Sequence, residues 1–198
     1  MTRLLLIGPP GAGKGTQAER LALAFDVPAI STGDIFRYNV VNNTPLGLEV
    51  KSFMDAGAYV PDTLTNAIVA DRLKESDATN GFLLDGYPRT TDQVVELDRL
   101  LVAGGTQLDV VVLITADTDE VVARLLKRAA EQGRADDTAE VIRHRLDVYA
   151  EQTAPLIDVY SARGLVVTID GLGAVEVVTD RILAALAERG LLQGSSTL

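Results

Sequence analysis

The chain of 198 residues carries 28 acidic and 18 basic side chains, which gives a formal net charge of −10, and it contains no cysteine. This length suits one compact unit with a small insertion, and the negative charge argues against non-specific nucleic-acid binding, which needs Lys and Arg to displace counterions from phosphates. The absence of cysteine excludes a disulfide scaffold, a thiol nucleophile and a zinc site built from thiolates.

Short apolar segments alternate with longer amphipathic stretches, a pattern typical of βα units that build a parallel sheet. The predicted strands are 3–8, 28–31, 82–85, 110–115 and 165–170. Several are apolar almost throughout, as expected when helices cover both faces of a sheet. The sequence therefore predicts an α/β fold with a five-stranded parallel sheet flanked by helices.

The amphipathic stretches predict the helices between and after these strands, at 13–25, 34–41, 46–56, 62–75, 91–102, 118–130, 138–160 and 174–188. About fifty residues separate the second predicted strand from the third, whereas a parallel crossover needs only about a dozen. The first part of this long connection is therefore expected to form a small helical lobe.

The apolar segments are too short for a membrane span. The longest uninterrupted apolar run is 110–114, far below the roughly 20 residues that a spanning helix needs. Residues 1–3 lead directly into a predicted strand and not into the apolar core of a signal peptide. We expect a cytoplasmic protein with no membrane partner and, because no exposed apolar stripe is evident, a monomer.

A glycine-rich segment, 8–16 (GPPGAGKGT), follows the first predicted strand and opens the first predicted helix. Glycines let backbone N–H groups converge on an anion, the helix start adds a favourable dipole, and Lys14 supplies a full charge. The hydroxyl of Thr16 stands one place later than in the strict phosphate-loop pattern, which indicates that magnesium is not held by the residue next to the lysine. The alternative, a glycine turn that binds nothing, is disfavoured by the lysine in register.

Four motifs together make the chain closely resemble the adenylate kinases, nucleoside monophosphate kinases of the P-loop class. They are 8–16, 31–34 (STGD), 85–90 (DGYPRT) and the arginines at 128, 134 and 145. The resemblance covers residues 1 to about 192. It implies reversible transfer of the terminal phosphoryl group of ATP to AMP, which gives two molecules of ADP. ATP, AMP and ADP are thus the expected partners, and Mg²⁺ is the expected cofactor.

The resemblance also implies how the chain is divided. Residues 1–192 would form one P-loop kinase domain, followed by a flexible tail at 193–198. Within that domain the core would comprise 1–30, 62–126 and 138–192, with a nucleoside-monophosphate-binding lobe at 31–61 and a lid at 127–137. The lid is of the short form, and the absence of cysteine excludes a zinc-bound lid.

The resemblance assigns site residues one by one. The expected ATP-binding residues are Gly11, Ala12, Gly13, Lys14, Gly15, Thr16, Arg128 and Gly173. The expected AMP-binding residues are Thr32, Arg37, Ala58, Tyr59, Val60, Gly86, Tyr87, Pro88, Arg89, Gln93, Arg134 and Arg145. The expected catalytic residues are Lys14, Arg89, Arg128, Arg134 and Arg145. Asp85, at the end of an apolar strand, is the expected magnesium ligand through a water molecule, although a strand-end Asp is often only a cap.

The arginines fit this chemistry better than any acid or base in the chain. An acceptor phosphate is already anionic near neutral pH, since its second pKa is about 6, so the transfer needs no general base. His144 is the single histidine, and its polar surroundings in sequence predict a surface position. The transfer does need neutralisation of several negative charges and in-line alignment of the attacking and leaving oxygens.

Three other functions share parts of the pattern. A kinase for UMP and CMP would have the same fold and phosphate chemistry, and only Thr32 and Gln93, where the family reads the base, favour adenine. A kinase for a small hydroxyl compound would benefit from a carboxylate base such as Asp34, but it would leave Arg89 and the lid arginines without a purpose. A GTPase-like switch is disfavoured because no Asn-Lys-x-Asp guanine signature occurs.

Overall fold

The computed structural model describes residues 1–132 and 138–192. Residues 133–137 of the predicted lid, which include Arg134, and the predicted tail at 193–198 lie outside this described part. The strands found within it are β1 (Arg3–Ile7), β2 (Ala29–Ser31), β3 (Phe82–Asp85), β4 (Val110–Thr115) and β5 (Val166–Asp170). They pair in parallel in the order β2-β3-β1-β4-β5. The predicted α/β fold is confirmed, and the strand bounds agree to within one residue.

The helices, again within the described residues, are α1 (Lys14–Phe25), α2 (Thr32–Val41), α3 (Pro45–Ala56), α4 (Asp62–Arg72), α5 (Thr91–Ala103), α6 (Thr118–Gln132), α7 (Ala139–Val148), α8 (Leu156–Ala162) and α9 (Val175–Glu188). Several starts are explained by hydroxyl caps that accept a bond from a first-turn N–H group. The capping residues are Ser31, Thr44, Thr90 and Thr138.

Two apolar clusters bury the two faces of the sheet. Leu5 and Ile7 of β1 point into the cluster that includes residues of α5 and α8, whereas Leu4 and Leu6 point into the cluster that includes residues of α1 and α9. This alternation is the period of two expected of a strand. Because both faces are covered, polar groups gather at the ends of the strands, which is where the candidate site lies.

The segment predicted as one helix at 138–160 is broken in the structure, so this prediction is wrong. After α7, a single π turn (Tyr149–Thr153) intervenes before α8. Pro155, two residues after Thr153, lacks the N–H group that an uninterrupted helix would use. The N–H of Ala154 instead reaches back five residues to the carbonyl of Tyr149 (2.9 Å). The predicted helix at 62–75 likewise ends early, at Arg72, and a 3₁₀ turn (Ser76–Ala78) follows.

The α2–α3 lobe, residues 31–61, has a small apolar core of its own, centred on Phe36, Val50 and Val60. The two helices approach each other closely at Gly47, where an added Cβ would lie 2.0 Å from the carbonyl oxygen of Asn39. Only glycine fits at that contact. The lobe therefore packs as a unit beside the sheet.

Among the helices described, none is long and apolar enough to cross a membrane.

Candidate active site

A cleft lies at the carboxyl ends of β1, β2 and β3. Its wall combines the phosphate loop (residues 8–16), the α2–α3 lobe, the loop between β3 and α5, and the segment from the end of α7 through the π turn. Crevices at this edge of a parallel sheet are where such folds bind ligands. The predicted site residues that line it are Lys14, Thr32, Arg37, Ala58, Tyr59, Val60, Gly86, Pro88, Arg89, Gln93 and Arg145.

The phosphate loop has the backbone that its glycines allow. Gly11 and Gly13 have φ values of +84° and +89°, a region that residues with a Cβ rarely adopt. A Cβ at Gly11 would also lie 2.9 Å from Leu125 Cγ on α6. Gly13 is the cap residue of α1 and supplies no side-chain hydrogen bond. The loop thus turns tightly and directs first-turn N–H groups of α1 toward a ligand.

Lys14 is held inside this loop. Its Nζ donates to the carbonyl oxygens of Gly8 (2.8 Å) and Pro9 (2.9 Å). Desolvation lowers the pKa of Lys14 from 10.5 to about 8; the charge of Asp85 opposes this shift, and the nearby guanidinium groups of Arg89, Arg145 and Arg128 add to it. The cations expected to meet phosphate are therefore close enough to one another to interact electrostatically.

Asp85 lies at the carboxyl end of β3, beside the phosphate loop. A Cβ at Gly15 would lie 4.0 Å from Asp85 Oδ2, and the carboxylate raises the pKa of Lys14. It is half-buried. A carboxylate next to a phosphate-binding loop suits a magnesium ion that keeps most of its waters, since Mg²⁺ prefers oxygen ligands and dehydrates reluctantly.

The other residues expected to bind ATP lie outside the lining of this cleft. They occupy the phosphate loop and the first turn of α1 (Gly11, Ala12, Gly13, Gly15 and Thr16), α6 (Arg128) and the loop after β5 (Gly173). Arg124, one turn before Arg128, bonds to the carbonyl oxygen of Gly171 (3.3 Å) and pairs with Glu120.

Arg89 is fixed by several independent contacts. Its Nε donates to the carbonyl oxygen of Gly86 (2.7 Å), an oxygen that also accepts from the hydroxyl of Thr32 (2.9 Å). The backbone N–H of Arg89 donates to Gln93 Oε1 (2.7 Å). Its guanidinium carbon stands 4.9 Å from the ring centroid of Tyr59, a cation–π contact.

Gln93 is oriented in turn by Asp62. Gln93 is 2% exposed, and its Nε2 donates to Asp62 Oδ1 (2.6 Å), while Thr90 Oγ1 donates to Asp62 Oδ2 (2.7 Å). These bonds determine which end of the carboxamide is the acceptor and which the donor. The residue expected to read the base is therefore held rigidly.

Arg37 and Arg145 reach the cleft from opposite sides. Arg37, on α2, pairs with Asp34 one turn before it (2.5 Å). Arg145, on α7, packs against the end of α3, because a Cβ at Gly57 would lie 2.9 Å from Arg145 Cγ. Gly57 also has a φ of +71°, so both the backbone and the contact require glycine.

Tyr87 is placed differently from the other residues expected to bind AMP. Its side chain is 1% exposed and does not line the cleft. Its hydroxyl donates to Asn66 Oδ1 (2.8 Å), and burial, with smaller effects from the charges of Glu96 and Asp62, raises its pKa. The phenol ring therefore belongs to the core.

Sequence reasoning missed several lining residues on the far wall, among them Thr153 and Tyr149 of the π turn. Thr153 is 5% exposed, and its hydroxyl donates to the carbonyl oxygen of Arg89 (2.9 Å). Pro155 carried the one usable signal, because a proline inside a helical pattern marks a break. Phe36, Met54 and Thr65 also line the cleft, and nothing in the sequence distinguishes them from core positions.

Five other arginines lie outside the cleft lining, at or near the surface. Each bonds to a neighbouring carboxylate or carbonyl group: Arg20, Arg72, Arg99, Arg181 and Arg189. His144 is exposed, as predicted. Arg134 lies outside the residues that the structure describes.

Comparisons with known proteins agree with this geometry. The family model described as adenylate kinase matches residues 6–165. A protein of Kocuria rhizophila named adenylate kinase is 64% identical, covering 94% of this chain and 99% of its own length. Adenylate kinases of Clavibacter michiganensis and Bifidobacterium longum are 60% and 55% identical, covering 98% and 93% of this chain and 98% and 99% of their own lengths. The chain therefore belongs to the adenylate kinase family.

Proposed function

We propose that this chain catalyses the reversible transfer of the terminal phosphoryl group of MgATP to AMP, giving two molecules of ADP. One observation carries the proposal: Lys14 of the phosphate loop shares a single cleft with Arg37, Arg89 and Arg145, which come from three other elements. This convergence of cations in a chain of net charge −10 suits two phosphate-bearing ligands that meet tail to tail. The names of the relatives support the same reaction.

The proposed chemistry is electrostatic alignment. An oxygen of the AMP phosphate attacks the terminal phosphorus of ATP, and the bond from that phosphorus to the oxygen bridging to the next phosphate breaks. The leaving group is ADP, and the newly phosphorylated acceptor is the second ADP. Arg89 and Arg145 would hold the acceptor phosphate, while Lys14 and Arg128 would stabilise charge on the transferred group; such fixed charges are the main source of catalysis in this reaction class.

Magnesium fits the carboxylate beside the phosphate loop. When bound with ATP, the ion would neutralise part of the negative charge of the phosphates. We propose that Asp85 orders one of its waters, since this carboxylate is half-buried and close to both Gly15 and Lys14.

We also propose that the lobe at 31–61 and the lid at 127–137 close over the nucleotides, with hinges near Gly33, Gly57 and Gly133. Closure would expel water that could otherwise accept the phosphoryl group. Relaxation-dispersion measurements during turnover test this closure, and a lobe that stays rigid would contradict it.

We further propose that the catalytic unit is the monomer, which sedimentation during turnover can check.

The acceptor is the part of the proposal that needs a direct test. The assay measures ADP formation from ATP with AMP, GMP, UMP or CMP as acceptor, in magnesium and in excess chelator. We expect AMP to be preferred by at least about a hundredfold, because a site whose buried polar groups match one substrate strongly rejects others. Equal or faster reaction with UMP or CMP would favour the alternative, a pyrimidine nucleoside monophosphate kinase.

A further inference from the structure

Two hydroxyl groups connect the α2–α3 lobe to Arg89 through a chain of hydrogen bonds. Tyr59 follows α3, and its hydroxyl lies 2.7 Å from Thr153 Oγ1 in the π turn. Thr153 Oγ1 donates its proton to the carbonyl oxygen of Arg89 (2.9 Å). Because a threonine hydroxyl has only one proton, Tyr59 must be the donor in the first bond. The chain therefore runs from Tyr59 to Thr153 to Arg89.

These contacts complete the anchoring of Arg89. Its backbone is held at the N–H group by Gln93 and at the carbonyl group by Thr153. Its side chain is held at Nε by Gly86 and on one face by the ring of Tyr59. Tyr59 thus touches this arginine twice, once directly through its ring and once through the hydroxyl of Thr153.

The π turn explains why Thr153 can take this place. A π turn contains one residue more than an α-helical turn, which rotates the following side chains by about 100° around the helix axis. Thr153 is 5% exposed, so loss of its hydroxyl would leave the Tyr59 hydroxyl and the Arg89 carbonyl oxygen without their partner in a place that water reaches poorly.

We propose that Tyr59 and Thr153 are positioning residues for Arg89, and that their hydrogen bond ties the lobe to the core when the acceptor site is formed. The inference rests on the proposed function and deepens its acceptor side. Neither side chain needs to touch the reacting atoms. Their effect is to hold Arg89 in the orientation in which its terminal nitrogens meet the acceptor phosphate.

The test uses three conservative variants of the full chain. Thr153→Val keeps the shape and removes the hydroxyl, Thr153→Ser keeps the hydroxyl, and Tyr59→Phe keeps the ring over Arg89. For Thr153→Val we expect the KM for AMP to rise about tenfold, the size of one well-placed hydrogen bond, and the KM for ATP to change less than about twofold. Thr153→Ser should restore the KM for AMP to within about twofold, and Tyr59→Phe should raise it about threefold, since its site is more exposed.

The double variant Tyr59→Phe/Thr153→Val tests whether the two groups act as one chain. If they do, its KM for AMP equals that of Thr153→Val, whereas independent effects would multiply. Multiplied effects, an unchanged KM for AMP in Thr153→Val, or equal rises for AMP and ATP would each overturn the proposal. If Thr153→Val fails to fold, Tyr59→Phe still breaks the chain of hydrogen bonds and Thr153→Ser still preserves it, so the KM for AMP is compared between these two variants.

Calorimetric AMP binding separates this inference from the proposed function. If the unaltered chain makes ADP but Thr153→Val binds AMP normally, the positioning role is wrong and the function stands. If the unaltered chain binds AMP but makes no ADP, the proposed function is wrong, and weaker AMP binding by Thr153→Val still supports the positioning role. If the unaltered chain does not bind AMP at all, both are wrong.

Discussion

Arg89 and Lys14 are held in the same cleft by opposite means. Arg89, on the proposed acceptor side, donates from its backbone N–H to Gln93 of α5 and from its Nε to Gly86 of its own loop, and its carbonyl group accepts from Thr153 of the π turn. Lys14, on the proposed donor side, directs its ammonium group at two carbonyl oxygens of its own loop. Arg89 is thus held by two other elements before a ligand arrives, whereas in the proposed function Lys14 would exchange its present contacts for phosphate.

We expect this difference to appear in the kinetics, with Arg89 affecting mainly binding of the acceptor and Lys14 mainly the rate of transfer. A cation that is already fixed contributes to binding from the start, so its loss should raise the KM of the acceptor. A cation that exchanges carbonyl groups for phosphate stabilises the transition state more than the bound substrates, because negative charge develops during transfer. Its loss should therefore lower kcat. Substitutions at either cation or at the wall of the cleft, and a change of pH, test this contrast.

Lys14→Met should lower kcat by about a hundredfold to a thousandfold, the usual cost of removing one preorganised charge-stabilising group. The matched control is Lys74→Met, because Lys74 is a 73% exposed lysine side chain paired with Asp71. Steady-state kinetics measure kcat for both variants, and thermal melting checks that both are folded. If Lys14→Met turned over within about threefold of the unaltered chain, the proposed role of Lys14 would be contradicted.

Arg89→Ala should raise the KM for AMP about thirtyfold and leave the KM for ATP within about threefold, since hydrogen bonds to a charged group are among the strongest. Arg163→Ala is a close control, because Arg163 also stacks on a tyrosine ring (Tyr160, 5.3 Å) and pairs with Asp98, away from the cleft lining. It should leave both KM values unchanged. An equal rise for ATP and AMP in Arg89→Ala would show that the division of the site is wrong.

Gly57→Ala should damage the acceptor side through packing. The variant puts a Cβ where φ is +71° and within 2.9 Å of Arg145 Cγ and Val141 Cγ1. Gly164→Ala is the control, because Gly164 has the same φ of +71° with no atom within 4 Å of an added Cβ. Each should lose about 1–2 kcal/mol of unfolding free energy from the backbone alone, measured by denaturant titration.

The two glycine variants should differ in a second respect. Gly57→Ala should lose further stability and raise the KM for AMP several times over, whereas Gly164→Ala should bind AMP normally. Identical behaviour of the two would mean that the contact between the end of α3 and α7 does not shape the acceptor site.

The depressed pKa of Lys14, about 8 in place of 10.5, predicts the smallest effect. Phosphate favours the charged ammonium, so ATP binding should take up a proton as the pH rises through about 8, and apparent ATP affinity should fall over the same range. Calorimetry near pH 9 in two buffers of different ionisation enthalpy measures this uptake, and Lys14→Met should abolish it. Proton release, or the same uptake in Lys14→Met, would contradict the assignment.

The lowered pKa of Lys14 also makes the free energy of unfolding depend on pH. Between pH 8 and 10.5 the unfolded lysine binds more protons than the folded one, so this group makes the free energy of unfolding rise with pH across that window. Below the folded pKa its contribution is a constant penalty. The lysine of the phosphate loop is thus held at a cost to stability.

The sequence predicted the elements that follow local rules. Short, almost wholly apolar runs located the strands, and the glycines with Lys14 located the phosphate loop directly before α1. The π turn escaped prediction because its wider hydrogen bonding leaves no periodic signature, and Thr153 therefore looked like an ordinary helical residue. Tyr87 looked like a ligand contact from its motif, yet its ring is in the core, because a motif does not reveal which way a side chain points.

The hydrogen bonds that join distant residues of the site could not be predicted from the sequence either. The bonds from Asp62 to Gln93 and from Thr153 to Arg89 join residues 31 and 64 positions apart. Such contacts depend on tertiary packing, and a single sequence carries no pairwise signal for them. The strand order was likewise set by packing and not by any local pattern.

The fate of labelled phosphate distinguishes direct phosphoryl transfer between two bound nucleotides from hydrolysis of ATP. ATP carrying a radioactive terminal phosphate is mixed with AMP, magnesium and the chain, and the products are separated. With direct transfer, the label appears in ADP, two ADP form for each ATP consumed, and free phosphate stays at background. Label released as free phosphate, or no ADP at all, would contradict it.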